Sequence, residues 1–245
     1  MKTIVIIPSR LKATRLPGKP LLKINGLSII THVFKKAEKA NIGEVVVATE
    51  DQEIIDDVKK NGGQAILTNN NHKTGTDRIY EAFKKLDTSN IDLVMNLQGD
   101  EPLMNIDDIK NLNKRMIENN SKMGTLGSKI SDKKLYFNKN VVKVITKQSL
   151  NYINFPEAEF FYREVLDKNK NTYHHLGIYC YQKDILKSFV SYTQSSNEKK
   201  NKLEQLRALD NKININVALA KASPIGVDTE EDFVAIKKIM EYKSL

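Results

Sequence analysis

The segment that follows the first apolar run of the sequence is rich in cationic side chains. In PSRLKATRLPGKP, residues 8–20, small residues, a glycine and prolines separate Arg10, Arg15 and Lys19. Proline and glycine set the shape of such a loop without long side chains. Guanidinium groups supply forked donors that match phosphate oxygens, and an ammonium group supplies a point charge. The pattern predicts a triphosphate-binding loop unlike the glycine-rich P-loop, with a solvated basic loop as the alternative.

Two acids further along the chain have the character of magnesium ligands. Asp100 follows a buried apolar run in NLQGDEP, and the preceding Gly99 leaves space beside it. Asp228 is expected at the end of the last core strand, where its alternative role is a plain N-cap for the helix beginning near Thr229. Mg²⁺ prefers a few carboxylates and otherwise binds phosphate oxygens and water. The two acids are therefore predicted to hold Mg²⁺.

A third candidate segment is HKTGTDR, residues 72–78, at the start of a predicted helix. Backbone N–H groups at a helix start, together with hydroxyl groups, bind phosphate or polar base edges. This favours the segment as one that binds a phosphate or a base edge. Thr76 is equally well explained as the N-cap of the helix.

The elements that must position these residues alternate between strand and helix over the first 125 residues. Continuous apolar or β-branched runs predict strands at residues 3–8, 44–49, 64–68 and 92–97. Apolar residues at helical spacing predict helices between and after them, one of them capped by Asp51. Such alternation predicts a parallel sheet with helices on both faces. Because ligands bind outside the carboxyl ends of such strands, chemistry is expected after Pro8, after Thr68 and after Leu97.

The alternation weakens from about residue 128. Strands are predicted at 141–146 and 174–181, with a long polar and irregular stretch between them. Helices at about 183–191 and 199–210 follow, and the strand INVALA and a helix from Thr229 are expected to return to the main core. We interpret residues 1–245 as a single domain with an inserted sheet subdomain at approximately 128–185.

Composition restricts the classes of function. The net charge of +9 permits nucleic-acid binding, but the lysines are scattered among acids and form no single basic block. The excess charge instead favours anionic small molecules. The sequence contains no run of about 18 apolar residues, so no membrane span is expected. The apolar run at residues 4–7 is too short for the core of a signal peptide. A single cysteine, Cys180, favours a reducing, cytoplasmic setting and is expected to be a buried strand residue.

Together these segments resemble the 3-deoxy-manno-octulosonate cytidylyltransferase family over nearly the whole chain. The motifs that carry the resemblance are IIPSRLKATRLPGKPL (6–21), HKTGTDR (72–78), NLQGDEPL (96–103), HHLGIYCY (174–181), LEQLRAL (203–209) and GVDTEED (226–232). The resemblance implies an α/β fold, a Rossmann-like nucleotidyltransferase sheet with an inserted smaller dimerisation and sugar-binding subdomain, in a homodimer. It also implies transfer of CMP from CTP to an anionic sugar acid with Mg²⁺ and release of pyrophosphate, for lipopolysaccharide precursor synthesis.

The resemblance assigns roles position by position. Triphosphate contacts fall on Arg10, Arg15 and Lys19, further nucleotide contacts on Thr76 and Arg78, metal ligands on Asp100 and Asp228, and sugar-acid recognition on Gln98, His175, Tyr179, Glu204 and Gln205. Catalysis is expected of Arg15, Lys19, Asp100 and Asp228. Histidines at 174 and 175 are equally explained as ordinary core or surface residues. The alternative for Glu204 and Arg207, at i and i+3, is a simple ion pair on one turn of a helix.

Two departures from the family pattern fall on the sugar side. Where the family usually has YFSR followed by proline, this chain has YINFP at residues 152–156, so a basic residue is missing unless Arg163 replaces it. The family's SPLE segment is SSNE here, residues 195–198. Alternatives therefore remain: the same chemistry on the 8-amino analogue of the octulosonate or on a nine-carbon sugar acid, or a non-catalytic nucleotide- or RNA-binding protein.

Overall fold

The computed structural model describes residues 1–12, 15–164 and 171–242, with the side chain of Lys133 outside the description. Ala13 and Thr14 of the basic loop, and residues 165–170 of the predicted subdomain, therefore lie outside the described residues. The chain divides into two units. The first unit comprises Lys2–Ile109 and Pro224–Leu245, and the second comprises Met1 and Lys110–Ser223.

The described strands and helices follow one another with short connections over most of the chain. The strands are β1 Thr3–Ser9, β2 Lys23–Ile24, β3 Leu27–Ser28, β4 Gly43–Thr49, β5 Gln64–Leu67, β6 Leu93–Asn96, β7 Met123–Ser128, β8 Lys143–Thr146, β9 Ala158–Tyr162, β10 Thr172–Gln182 and β11 Ile215–Ala220. The helices are α1 Ile29–Ala40, α2 Gln52–Lys60, α3 Gly75–Lys85, α4 Ile106–Asn119, α5 Lys133–Phe137, α6 Lys183–Ser191, α7 Ser196–Asn201, α8 Leu206–Asp210 and α9 Glu230–Tyr242. A 3₁₀ turn covers Lys19–Leu21.

The first unit contains a parallel sheet in the order β6-β1-β4-β5. Its central strands are buried on both sides, which explains why they are continuous apolar runs without alternation. In β1, Ile6 pairs in register with Val46 of β4 and with Asn96 of β6. The carboxyl ends of these strands therefore lie side by side, as the sequence predicts.

Helices α1, α2 and α3 pack against this sheet through their apolar faces. At the start of α1, the Ser28 hydroxyl accepts the N–H of Thr31, and the helix ends at Asn41 with a left-handed φ of 49°. Asp51 is the N-cap residue of α2, as predicted, but its side chain makes no capping hydrogen bond to the helix. The carboxylate of Asp51 instead accepts the backbone N–H of Leu11.

The second unit contains the strand order β11-β7-β10-β8-β9. Only the β11–β7 pair is parallel among these, and the register of β10 against β7 shifts between Leu176 and Tyr179. The predicted INVALA strand is β11, and it pairs with β7 in this unit, whereas α9 belongs to the first unit. Cys180 is buried in β10, and burial raises the pKa of its thiol.

Two strands and one helix of the second unit differ from the prediction. The stretch expected to be irregular contains β9, and β7 precedes the region where strands were expected. The helix predicted at 199–210 is two helices, because Lys202 takes a left-handed φ of 54° and ends α7. Within the part of the chain that the structure describes, no helix is long and apolar enough to cross a membrane.

Candidate active site

A cavity of about 300 Å³ lies in the first unit at the carboxyl ends of the parallel strands. Its walls come from the loops after β1, β5 and β6 and from the segment before α9. These are the three loops in which the sequence predicts chemistry, together with the segment that carries the second predicted acid. The structure therefore brings together residues that are more than 200 positions apart in the chain.

The basic loop forms one wall, to which Arg10, Arg15 and Lys19 all contribute. Gly18 has a left-handed φ of 71°, which favours glycine, and its N–H donates to the carbonyl of Leu11 at 3.0 Å. This bond closes the loop just before the 3₁₀ turn that carries Lys19. The arrangement holds three cations at the rim of one cavity, as the sequence predicts for a triphosphate.

Lys19 lies between the two predicted metal ligands. Its Nζ atom is 2.6 Å from Oδ2 of Asp100 and 3.4 Å from Oδ1 of Asp228, and it donates to the carbonyl of Val227 at 2.7 Å. Arg15 reaches the same Asp228 oxygen at 3.0 Å, in a more exposed ion pair. The two acids and two of the three cations thus form a single charged cluster.

Asp228 is held in this cluster by backbone contacts on both sides. The last strand ends at Ala220, so Asp228 lies in a loop and not at a strand end as predicted. The N–H of Val227 donates to the carbonyl of Asp100, and Val227 packs in the apolar cluster around Ile24. The N-cap interpretation of Asp228 is also wrong, because Thr229 and Asp232 exchange the capping bonds at the start of α9.

The loop after β6 approaches β1 very closely. A Cβ atom on Gly99 would lie 2.8 Å from the carbonyl oxygen of Pro8, so only glycine fits without a shift of the backbone. The neighbouring Gln98 and Asp100 line the cavity. Glu101 places a buried Oε2 atom without a hydrogen-bond partner among the described residues. Burial, followed by the charges of Asp100 and Asp228, raises the pKa of Glu101 to about 8.

The donor set at this cluster fits the Mg²⁺ expected from the sequence. The carboxylates of Asp100 and Asp228 both reach one cation, the Lys19 ammonium, so they converge on a position that a positive charge can occupy. No group of three or more His, Cys, Asp or Glu side chains within residues 1–12, 15–164 and 171–242 is arranged to hold a metal. Two carboxylates with phosphate oxygens and water match what Mg²⁺ prefers.

Two acids, Glu50 and Glu81, bind side chains of the loop after β5 and of the helix start that follows it. Arg78 lines the cavity, yet its guanidinium is buried and pairs with Glu50, and it also donates to the Thr68 hydroxyl at 2.6 Å. His72, also at the cavity wall, bonds to the carboxylate of Glu81. Glu81 accepts the N–H of Asn69 with both oxygens at 3.1 Å. These bonds fix the loop that carries HKTGTDR.

The start of α3 differs from the prediction in its cap. Thr74 is the N-cap, and its hydroxyl and the carboxylate of Asp77 form a capping box. Thr76 lies in the first helical turn and is buried, so the interpretation of Thr76 as the N-cap is wrong. Thr74 and Gly75 line the cavity at this helix start.

Four of the five residues predicted to recognise the sugar acid lie in the second unit: His175, Tyr179, Glu204 and Gln205. The fifth, Gln98, lines the cavity of the first unit. His175 is buried, its Nε2 atom lies 3.1 Å from the Thr125 hydroxyl, and burial followed by the neighbouring His174 lowers its pKa to about 3. It is therefore a neutral imidazole near neutral pH.

A row of aromatic rings continues from His175. Its ring lies 5.4 Å from that of Tyr179, which lies 6.0 Å from Tyr181, and Tyr181 contacts Phe189 at 6.1 Å. The hydroxyl of Tyr179 is buried and has no partner among the described residues. Burial, followed by the nearby charges, raises its pKa well above the ordinary value. A buried hydroxyl without a partner is a group that a polar ligand can satisfy.

The LEQLR segment is fixed by an ion pair that the sequence did not indicate. Arg207 donates from Nε and from its NH2 group to the two carboxylate oxygens of Glu198, at 2.8 and 2.6 Å, and both side chains are buried. The predicted pair between Glu204 and Arg207 is present but longer, at 3.7 Å. Gln205 is buried at the start of α8. The SSNE segment therefore supplies the main partner of Arg207.

The other departure from the family pattern forms a turn. The Oδ1 atom of Asn151 accepts the N–H groups of Ile153 and Asn154, and Phe155 is buried behind it. Within the described part of the chain, Arg163, the possible replacement for the missing basic residue, makes long bonds of 3.4–3.5 Å to backbone carbonyls. Its guanidinium is loosely held compared with that of Arg207.

Sequence reasoning missed Glu50, Asp51, Glu81 and Glu198, which hold the loops and helices that carry the predicted residues. A signal for two of them was present, because Glu50 and Asp51 directly follow β4, and β4 is the neighbour of β1 in the sheet. The rule that places ligands at the carboxyl ends of strands also places the residues that support them.

Comparisons with known sequences confirm the family that the sequence motifs indicate. A family model described as Cytidylyltransferase matches residues 4–215. The 3-deoxy-manno-octulosonate cytidylyltransferase of Rhodopseudomonas palustris (strain BisB18) is 40% identical, with 98% of this chain and 98% of the relative covered. The protein of the same name from Brucella canis is 41% identical, with 95% of this chain and 93% of the relative covered.

Solved structures give the same result for the fold. CMP:2-keto-3-deoxy-manno-octonic acid synthetase complexed with CTP has a TM-score of 0.89 and 34% identity, covering 99% of this chain and 100% of that chain. The 4-diphosphocytidyl-2C-methyl-D-erythritol synthase of Anaerococcus prevotii has a TM-score of 0.65 at 16% identity, covering 98% and 99%, which shows likeness of fold alone. The predicted α/β nucleotidyltransferase fold is confirmed.

Proposed function

The chain belongs to the cytidylyltransferase family, among the 3-deoxy-manno-octulosonate cytidylyltransferases, and on that basis we propose the reaction that it catalyses. It transfers CMP from CTP to the anomeric hydroxyl of 3-deoxy-D-manno-octulosonate and releases pyrophosphate, in lipopolysaccharide precursor synthesis. The observation that carries the proposal is the cluster of Arg15, Lys19, Asp100 and Asp228 at the rim of the cavity. Cations for a triphosphate and carboxylates for a metal meet there.

The reaction is a direct displacement. The anomeric oxygen forms a bond to the α-phosphorus of CTP, the bond from that phosphorus to the pyrophosphate oxygen breaks, and the hydroxyl proton is released to water. Such transfers depend on positioning and charge stabilisation more than on covalent catalysis. Arg10, Arg15 and Lys19 bind the triphosphate and neutralise the charge that develops on the leaving pyrophosphate. Among the described side chains we assign none as a general base.

Mg²⁺ is proposed as the cofactor, held by Asp100 and Asp228. When bound, it neutralises phosphate charge and favours loss of the hydroxyl proton. Two cations offset the two acids, because the Lys19 ammonium lies near both carboxylates and Arg15 pairs with Asp228, beside the buried Oε2 atom of Glu101.

The groups proposed to recognise the acceptor are Gln98 in the first unit and His175, Tyr179, Glu204 and Gln205 in the second. A neutral imidazole and an unsatisfied buried hydroxyl support hydrogen bonding to sugar hydroxyl groups. Thr76 and Arg78 are proposed on the nucleotide side, with Arg78 held rigidly by Glu50.

We also propose a cytoplasmic homodimer that binds neither nucleic acid nor membranes. The resemblance to the family supports the dimer, and so does Ile153, which is 81% exposed beside the half-exposed Tyr152 in the second unit. A mass of two chains in sedimentation equilibrium is the expected result. The single cysteine, which is buried, supports the cytoplasmic location. The mixing of lysines with acids supports the proposal that the protein does not bind nucleic acid.

Pyrophosphate release in the presence of Mg²⁺ and CTP tests the function. The octulosonate, its 8-amino analogue and a nine-carbon sugar acid are compared as acceptors at equal concentration. Release that is fastest with the octulosonate is the expected result. Release only with another acid would keep the chemistry and change the acceptor, while CTP binding without release from any of them would contradict catalysis.

A further inference from the structure

We propose that Asp51 is a positioning residue of this enzyme, which holds the basic loop in the shape that binds the triphosphate of CTP. The proposal deepens the function proposed above and rests on it. Asp51 does not line the cavity among the described residues, so its effect must act through the loop. The contact that carries the effect is the 2.7 Å bond from the N–H of Leu11 to Oδ2 of Asp51.

The sheet places these two residues opposite each other. Ser9 at the end of β1 pairs in register with Thr49 at the end of β4. Leu11 and Asp51 each lie two residues beyond that pair, so the loop after β1 leaves the sheet beside the last residue of the connection from β4 to α2. Adjacent parallel strands thus supply the cationic loop from one carboxyl end and its acidic support from the next.

The ordinary role of an acid at this position is excluded by the bonds it makes. Asp51 is the N-cap residue of α2, but its side chain accepts no hydrogen bond from the helix. Its own N–H donates to the hydroxyl of Thr49 at 3.1 Å, which orients the backbone. The carboxylate is therefore committed to Leu11 and not to stabilising the helix start.

Leu11 is the residue at which the basic loop closes. Its N–H is held by Asp51, and its carbonyl accepts the N–H of Gly18 at 3.0 Å. Arg10 immediately precedes this residue, and Lys19 immediately follows Gly18. Fixing both peptide groups of Leu11 therefore fixes the two ends of the loop that presents the cations to the cavity.

The negative charge of Asp51 also stabilises the basic loop electrostatically. The loop carries four cations, Arg10, Lys12, Arg15 and Lys19. The last two pair with Asp228 and Asp100, and the repulsion that remains favours open conformations when no nucleotide is bound. The partly buried carboxylate of Asp51 offsets that repulsion and accepts a charge-assisted hydrogen bond from the chain. A loop ordered before binding loses less conformational freedom when CTP arrives. Without Asp51, CTP binding must supply that ordering.

The test compares Asp51→Ala, Asp51→Asn and Asp56→Ala with the wild-type enzyme. Asp56 is an exposed acid on the same helix whose side chain bonds to Gln52, so its removal matches the charge change without touching the loop. Steady-state kinetics give the KM for CTP, the KM for the octulosonate and kcat. Calorimetric titration with CTP gives Kd without the acceptor, and thermal unfolding gives Tm.

We expect Asp51→Ala to raise the KM and Kd for CTP about tenfold, the size typical for loss of a hydrogen bond to a charged group. The KM for the octulosonate is expected to stay within about twofold and Tm within a few degrees of wild type. Asp51→Asn should restore part of the affinity, because its side-chain carbonyl can accept the same N–H but carries no charge to offset the cations. Asp56→Ala should behave as the wild type.

Unchanged CTP affinity in Asp51→Ala would overturn the proposal. So would equal losses for CTP and the octulosonate with a lowered Tm, because that result describes a general structural defect. Failure of the asparagine variant to restore affinity would overturn the role of the hydrogen bond. If the wild-type protein binds CTP but releases no pyrophosphate, the proposed function fails, whereas the Kd comparison still decides the role of Asp51.

Discussion

Asp100 is one of the two acids proposed to hold Mg²⁺. It follows β6, lies at the cavity wall, and has the Lys19 ammonium 2.6 Å from its Oδ2 atom. Asp100→Asn replaces a carboxylate by a neutral amide of nearly the same shape. We expect kcat to fall about a hundredfold or more, equivalent to about 2.7 kcal/mol of transition-state stabilisation.

Pyrophosphate release at saturating CTP and acceptor measures this effect. Asp107→Asn, an exposed acid in the first turn of α4, is the matched control and should keep full activity. An Asp100→Asn enzyme as active as the control would remove Asp100 from the metal site.

Lys19 carries a second prediction at the scale of one residue. Its ammonium touches both carboxylates and the carbonyl of Val227, and its side chain is 14% exposed. We expect Lys19→Ala to lower kcat/KM for CTP by about tenfold to a hundredfold, because a charge-assisted contact to the phosphates is lost. Without nucleotide, the same variant should bind Mn²⁺ more tightly, since no ammonium competes for the two carboxylates.

Kinetics, calorimetric titration with Mn²⁺ and thermal unfolding separate these effects. Lys23→Ala, which removes an exposed lysine four residues further along, is the control. Unchanged kinetics would exclude Lys19 from the site, and unchanged Mn²⁺ affinity would contradict its competition with a metal.

The elements show how far the sequence alone predicts this protein. Strands β1, β4, β5 and β6 agree with the prediction to within one or two residues. For β1, β4 and β6 the reason is burial, because strands with both faces covered are largely continuous apolar runs. The three loops that form the cavity followed from one rule about parallel sheets. The rule predicts which loops form the site, but it does not predict which residues hold those loops in place. Asp51 and Leu11 are forty positions apart, and only the strand register brings them together.

Strand β7 illustrates why the second unit was harder to predict. Its sequence, MGTLGS, contains glycines and small polar residues that are typical of a loop. A Cβ atom on Gly124 would lie 2.6 Å from the sulfur of Met116 and 2.8 Å from the ring of Phe155, so close packing requires glycine at this place. The split of the predicted helix at Lys202 likewise depends on a left-handed residue that is not glycine. The close packing around Gly124 and the left-handed conformation of Lys202 depend on contacts that the neighbouring sequence does not show.

Helix α3 and the loop before it depend on Glu81 for a pH-dependent contact. Burial alone would raise the pKa of Glu81, but hydrogen bonds from Lys85, His72 and the Asn69 N–H outweigh it and lower the pKa to about 2. A carboxyl group with a depressed folded-state pKa stabilises the fold above its unfolded pKa, and that stability is lost as the pH falls through the folded value. For Glu81 the window runs from about pH 4.5 down to about pH 2.

We therefore expect Glu81→Gln to lower the free energy of unfolding near pH 7 and to flatten its decrease between pH 4.5 and 2. Urea unfolding at a series of pH values measures both effects. Glu53→Gln, an exposed acid in the first turn of α2, should leave the wild-type profile unchanged. A Glu81→Gln profile parallel to that of the wild type in this window would contradict the depressed pKa.

Charge is the property of the whole molecule that bears on function. A net charge of +9 produces a field that attracts an anionic nucleotide before any contact forms. Reversal of Lys59 and Lys60, exposed residues at the end of α2 that do not line the cavity, changes this field without altering Arg10, Arg15 or Lys19. We expect the double reversal to lower kcat/KM for CTP by a few-fold at about 0.05 M salt, where the Debye length exceeds about 10 Å. Near 1 M salt, where the Debye length is about 3 Å, we expect no effect.

Initial rates over this range of salt measure the effect, and a variant with both lysines replaced by glutamine serves as the intermediate step. Equal rates for wild-type and reversed enzymes at low salt would show that only the cations of the cavity matter. A steep salt-dependent affinity for RNA, lost in the same variant, would instead show that the excess charge serves nucleic-acid binding.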